Sequence, residues 1–209
     1  MALDLEEQEK IDEAKAWWKR HGNKVIWGIT LFLLAVAGWR GWETWTRNQA
    51  AEASMLFDRA VQATNLNDHK TAKEAAAQIM DSHKRSAYAT PAAWLAGHLN
   101  HEAGDLKSAR AQYQFALERA RDDGMRQMAR LRLAALMFEE GDLDAALKLL
   151  EAPFQPAFAG LAEQLRGDLL VAKGNDAGAR EAYRLALQKL GDDSPLKPLV
   201  EIRLDALGG

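Results

Sequence analysis

The chain has 209 residues, 27 Lys plus Arg against 30 Asp plus Glu, a formal net charge of −3 and no Cys. That balance excludes a general basic field for nucleic acid, and the missing thiols exclude a disulfide framework, a thiolate zinc site, a cysteine nucleophile and a lipid-bearing N-terminal Cys. The 39 Ala and 29 Leu, against 16 Val, Ile and Thr together, predict an all-α fold, because Ala and Leu lose little on entering a helix while β-branched residues favour strands.

Residues 1–24 carry six acids and read as a tail holding a short helix from Leu3 to Ala16 with a solvated face. From Val25 to Trp39 the chain is uncharged and largely apolar for 15 residues; extension to Trp45 gives 21. That suffices for a transmembrane helix over 25–45, with Arg40 snorkelling to the headgroups. Trp17 and Trp18 on one side, with Trp39, Trp42 and Trp45 on the other, are expected at the two membrane interfaces. Trp18 and Trp42 stand 24 residues apart, about 36 Å of helix across a hydrocarbon core of about 30 Å. Ala35-Val36-Ala37 also fits a signal-peptidase site. The long acid-bearing segment ahead of it is unlike the short basic start of a signal peptide, so the anchor is read as retained. Lys10, Lys15, Lys19, Arg20 and Lys24 before the span, against Arg40 and Arg47 after it, orient the N-terminus to the cytoplasm and residues 46–209 outside it.

The remainder repeats. GDLKSARAQYQFALERA begins at Gly104, GDLDAALKLLEA at Gly141 and GNDAGAREAYRLALQKL at Gly174, the glycines 37 and 33 residues apart. A weaker copy, NDHKTAKEAAAQIM, starts at Asn67. Seven residues before each turn stand Ala60, Gly97, Ala134 and Gly167; five after it, Ala72, Ala109, Ala146 and Ala179; nine after the three glycines, Tyr113, Leu150 and Tyr183. This pattern resembles the tetratricopeptide repeat, a stack of helical hairpins. Small residues are expected to let two helices of a hairpin approach, the aromatic to fill the seam with the next hairpin, and the Gly to supply a left-handed cap. Helices are predicted over 25–65 (with a break near Asn48), 69–83, 91–103, 106–122, 125–140, 143–151, 157–173, 176–190 and 196–207, the last as a cap on the final hairpin. Asp122-Asp123 and Asp192-Asp193 are read as helix-capping acids.

The catalytic inventory is poor. No P-loop, G-x-S-x-G, H-E-x-x-H or dinucleotide fingerprint occurs, so an enzyme is not expected. His98 and His101 share a helix face but no third metal ligand is indicated, and neither a metal nor a cofactor is predicted. The repeat resemblance implies a partner-binding concave face. Its positions fall on Phe57 and Val61; on Trp94, His98 and His101; on Met128, Leu131, Ala135 and Phe138; and on Gln164, Asp168 and Val171. Such a mostly apolar groove suits an amphipathic helix or unfolded segments, although the same side chains could serve only to pack hairpins together.

Taken end to end, the order of acidic tail, Trp-flanked anchor and divergent repeats resembles the ancillary subunit family of the bacterial SecYEG translocon. The resemblance implies an inner-membrane protein that associates with SecYEG. It also implies partnership with a membrane-anchored periplasmic chaperone of prolyl-isomerase type, contact with unfolded newly exported proteins, and contact of the N-terminal tail with a cytosolic response regulator. The same anchor and groove would equally serve an envelope-assembly or cell-division scaffold not tied to the translocon.

Overall fold

A computed structural model describes residues 2–208, with side chains from residue 7 onward. It contains helices α1 (Ala2–Asn65), α2 (His69–Ser82), α3 (Ala89–Glu102), α4 (Leu106–Arg119), α5 (Asp123–Glu139), α6 (Leu143–Leu150), α7 (Pro156–Ala172), α8 (Asp176–Lys189) and α9 (Lys197–Ala206), and no strand among the described residues. The chain divides into two compact units, Met1–Gln49 and Ala50–Gly209.

The separate Leu3–Ala16 helix and the break near Asn48 do not occur; α1 is continuous. It contains no Pro, and its glycines stand singly, so the i→i−4 ladder is never forced open. α1 is long and apolar enough to cross a membrane, with a mean hydropathy of 1.5 over its most apolar window, none of which is buried. A core helix of a soluble protein would be largely covered.

In the second unit, hairpins follow one another through near-identical turns. Gly104, Gly141 and Gly174 have φ of +74°, +81° and +73°, and Asn67, in the weak copy, takes the same left-handed role at +57°. Asn tolerates that region better than most residues. Each turn closes with a backbone bond five residues back: Asp68 N to Ala63 O, Asp105 N to Asn100 O, Asp142 N to Met137 O and Asn175 N to Leu170 O, at 2.8–2.9 Å. The side chains of Asp68, Asp105 and Asn175 then accept the N–H groups of Thr71, Ser108 and Gly178 and start the next helix.

The expected helices from residue 69 onward are all present. The largest overrun is 106–122, the others ending within one residue: the chain leaves α4 at Ala120, and Asp122 accepts the Met125 N–H at 2.8 Å to cap α5. The second acidic pair behaves differently. α9 has Leu196 at its cap position without a side-chain bond, and Asp192 instead meets Lys197 Nζ at 2.8 Å.

The seam residues also differ from expectation. A Cβ on Gly97 would lie 2.6 Å from Tyr113 Cε1, and one on Gly167 would collide with Tyr183 in the same way. Each tyrosine therefore presses first into its own hairpin. Where the second helix offers Leu150, the first offers Ala134, and both are wholly buried. Links between successive repeats come from Arg110, which meets Glu140 and Asp142 at 2.7 and 3.1 Å, and from Arg180 at the equivalent place, which donates to Leu207 O at 3.0 Å.

α6 is short, with Pro153 just beyond it. Carbonyls at and just beyond its end are collected by two arginines: Arg130 donates to Leu149 O (3.0 Å) and Ala152 O (2.6 Å), and Arg166 to Leu150 O (2.6 Å). The Arg130 guanidinium also lies 4.0 Å from the Phe154 ring centre. α9 closes the array, with Val200 buried among Ala179, Tyr183 and Ala186.

Candidate interaction groove

α3 supplies most of one cleft in the repeat unit. Pro91, Trp94, Leu95 and His98 lie along it, spaced by three, one and three residues, and Phe57 of α1, Tyr113 of α4 and Arg132 of α5 complete a hollow of about 310 Å³. Pro91 sits in the first turn of α3, where its missing N–H has no helical partner to lose. Tyr113 reaches the cleft because Gly97 has no Cβ to stop it. Burial raises the Tyr113 hydroxyl above its ordinary pKa, so it stays a neutral donor across the physiological range. Phe57 is half-buried and tilted against Tyr88, ring centres 5.6 Å apart.

Two donors distinguish this cleft from plain apolar packing. Trp94 Nε1 is buried and has no acceptor among the described residues. A buried donor left unpaired costs about 1–3 kcal/mol. Arg132 is exposed on the same hollow. The floor thus offers apolar area, and its edge offers N–H groups that want an acceptor.

The predicted groove residues divide. Phe57, Trp94 and His98 meet in the cleft, with His98 Nε2 3.4 Å from Glu102. His101 lies beyond it and joins Glu139 at 2.6 Å, linking α3 to α5. Phe138 is half-buried against the same core cluster that supports Trp94. Leu131 is a correction: it is only 3% exposed and packs with Leu133, Leu136, Ala162 and Leu165. α5 has α4, α6 and α7 packed against it, so the side bearing Leu131 is covered. Gln164 and Asp168 are likewise engaged. Gln164 donates to Asp168 Oδ2 (2.6 Å), Tyr183 donates to Asp168 Oδ1 (2.7 Å), and Arg203 of α9 forms an ion pair with the same carboxylate. Burial first, and the Asp168 carboxylate second, raise the Tyr183 hydroxyl strongly. The capping helix occupies that stretch of the expected groove.

Pro91, Leu95, Tyr113 and Arg132 were not anticipated in the groove. Arg132 is flanked by Leu131 and Leu133, and a search for apolar positions passes over it, yet one residue turns a helix by about 100°. No group of three or more His, Cys, Asp or Glu among the described residues is placed to hold a metal. The five tryptophans expected at the membrane interfaces, Trp17, Trp18, Trp39, Trp42 and Trp45, are all exposed, Trp42 and Trp45 with ring centres 5.3 Å apart.

A family model described as a tetratricopeptide repeat-like domain matches residues 15–209. The chain is 31% identical over 188 residues to the ancillary SecYEG translocon subunit of Haemophilus influenzae, covering 90% of this chain and 92% of that one. To the ancillary SecYEG translocon subunit of Neisseria gonorrhoeae it is 27% identical over 211 residues, covering 99% and 100%. To that of Escherichia coli K12 it is 26% identical over 208 residues, covering 99% of each.

Proposed function

The chain belongs to the family of ancillary SecYEG translocon subunits, and on that premise we propose that it is a non-enzymatic, membrane-anchored interaction protein associated with the SecYEG translocon. Residues 25–45 form the anchor, residues 1–24 lie in the cytoplasm, and residues 46–209 lie in the periplasm. The repeat unit receives apolar segments of newly exported chains and works beside a membrane-anchored chaperone of prolyl-isomerase type. The basic asymmetry across the span supports this orientation.

The Trp94 cleft is the observation that carries the binding role. A large apolar side chain entering between Phe57, Trp94 and Leu95 loses water on both surfaces. A neighbouring backbone carbonyl on the same segment satisfies Trp94 Nε1 or Arg132, which fixes its position without demanding a particular sequence. Recognition of that kind suits a chain that has not yet folded.

A photo-crosslinker at Leu95, with a stalled exported chain in the translocon, tests the assignment. Adducts to the stalled chain are expected, and they should fall several-fold when Trp94 is changed to Ala while circular dichroism stays near the parent's. Adducts that persist undiminished in a folded Trp94→Ala protein place recognition on another surface. Full protection of the repeat unit from protease added to spheroplasts would overturn the orientation.

A further inference from the structure

We propose that residues 8–21 form an in-plane amphipathic helix that lies on an anionic lipid surface, hinged from the membrane-crossing stretch at Gly22-Asn23. This rests on residues 25–45 being the anchor, as proposed above. Ile11, Ala14 and Trp18 follow one another at intervals of three and four, so they share one face of α1. Ile11 and Trp18 are each more than half exposed, and Lys15 and Lys19 line the same face along one edge. Trp17 and His21 stack along the other edge, ring centres 5.3 Å apart. At 100° per residue, Glu9 and Glu13 point away from this face, and Asp12 sits at its cationic edge, paired with Lys15 at 3.3 Å.

Charge is sorted along the helix. Every acid of the tail precedes Ala14, and no further acid occurs before Glu43, whereas Lys15, Lys19, Arg20 and Lys24 fall in between. Four cations and two tryptophans at the mouth of a membrane span match a surface of anionic headgroups over acyl chains. The apolar face is also continuous with the span, since Val25 stands seven residues after Trp18.

A bend is needed for lipid to reach the whole face. A straight helix carries Ile11 about 21 Å beyond Val25 into water. His21, Gly22 and Asn23 are three consecutive poor helix formers. Gly22 is covered by the Trp18 indole, which a Cβ there would meet at 3.0 Å. On a bilayer the indole exchanges that contact for the acyl boundary, and the turn is then free to bend.

The absence of native cysteine makes the test direct. Full-length protein with a single Cys at position 9, 11, 12, 13, 14 or 18 is given an environment-sensitive fluorophore and reconstituted into vesicles of phosphatidylethanolamine with phosphatidylglycerol. Labels at 11, 14 and 18 should be several-fold less quenched by aqueous iodide than those at 9 and 13, with position 12 at the edge between them. The contrast should shrink in phosphatidylcholine alone and in a Lys15→Gln, Lys19→Gln variant. A control label at Leu33 separates the two readings. If it too is quenched, the anchor is at fault; if it is shielded while positions 11–18 are uniformly quenched, the in-plane helix is overturned. Equal contrast in both lipids overturns the anionic surface. Shielding that appears only when the translocon is added assigns the face to a protein and overturns the proposal.

Discussion

At positions 97 and 167 a glycine of one helix faces a tyrosine of the next, and in the middle repeat Ala134 stands in the glycine's place and Leu150 in the tyrosine's. The pairs exchange volume: a ring takes the place of Leu plus a methyl group, and close-packed interiors register differences of that size. Gly167→Ala should therefore cost about 1–3 kcal/mol through overpacking, read as a lower denaturation midpoint. Adding Tyr183→Leu, which imitates the middle repeat, should recover part of that loss, and an unchanged single variant would show that the seam yields. A second residue-scale effect concerns the turn aspartates. Hydrogen bonds from the side chain and backbone of Thr71, and likewise of Ser108, hold the Asp68 and Asp105 carboxyls below their ordinary pKa. Because the folded values are depressed, their contribution is complete above about pH 4 and is lost as pH falls through the folded values. Asp105→Asn keeps an acceptor, as Asn175 does naturally, but does not titrate. Its urea midpoint should fall less steeply than the parent's on acidification, and parallel curves would remove the cap from the acid response.

Among the elements, α6 depends most on side chains outside itself. Arg130 serves the Leu149 carbonyl in its last turn and the Ala152 carbonyl just beyond it, and stacks on Phe154, and burial lowers the pKa of its guanidinium. Arg130→Ala should destabilise the repeat unit by about 2 kcal/mol, the scale of hydrogen bonds to a charged donor, while Arg130→Lys retains charge but cannot span both acceptors. Equal stability of parent and Ala variant by thermal melting would deny α6 this support. Most of these elements could be read in advance, because left-handed turn residues and the Asp or Asn after them punctuate the chain locally. The groove was less legible. Phe57, Trp94 and His98 were placed by register alone, but Leu131 was lost to a neighbouring helix and Asp168 to α9. Such contacts depend on how many neighbours a helix has, and repeat spacing does not encode that. The unbroken α1 differs from expectation for the opposite reason: a weak breaker such as Asn48 does not interrupt a long helix.

Across the repeat unit, stability is assembled from neighbour to neighbour. Arg203→Ala frees the Asp168 carboxylate, which Gln164 and Tyr183 still hold, so a loss of about 1 kcal/mol is expected from this partly exposed pair. Removing α9 altogether should be far more costly, because the cluster around Val200 then meets water; limited proteolysis would find new cuts in α8, and their absence would show that α9 is dispensable. The eight residues of α6 have a wider effect. With only Ala146 and Leu150 fully buried, this helix contributes less to the core than any other from α2 to α8. A one-dimensional array breaks its cooperativity where coupling is weakest, so the unit should open as two foldons meeting at α6, not as one. Native-state hydrogen exchange would see this as two groups of amides, α3–α5 and α7–α9, with different opening free energies and α6 the first to exchange. A solenoid with such a seam can loosen one half around a passing chain while the other keeps its shape.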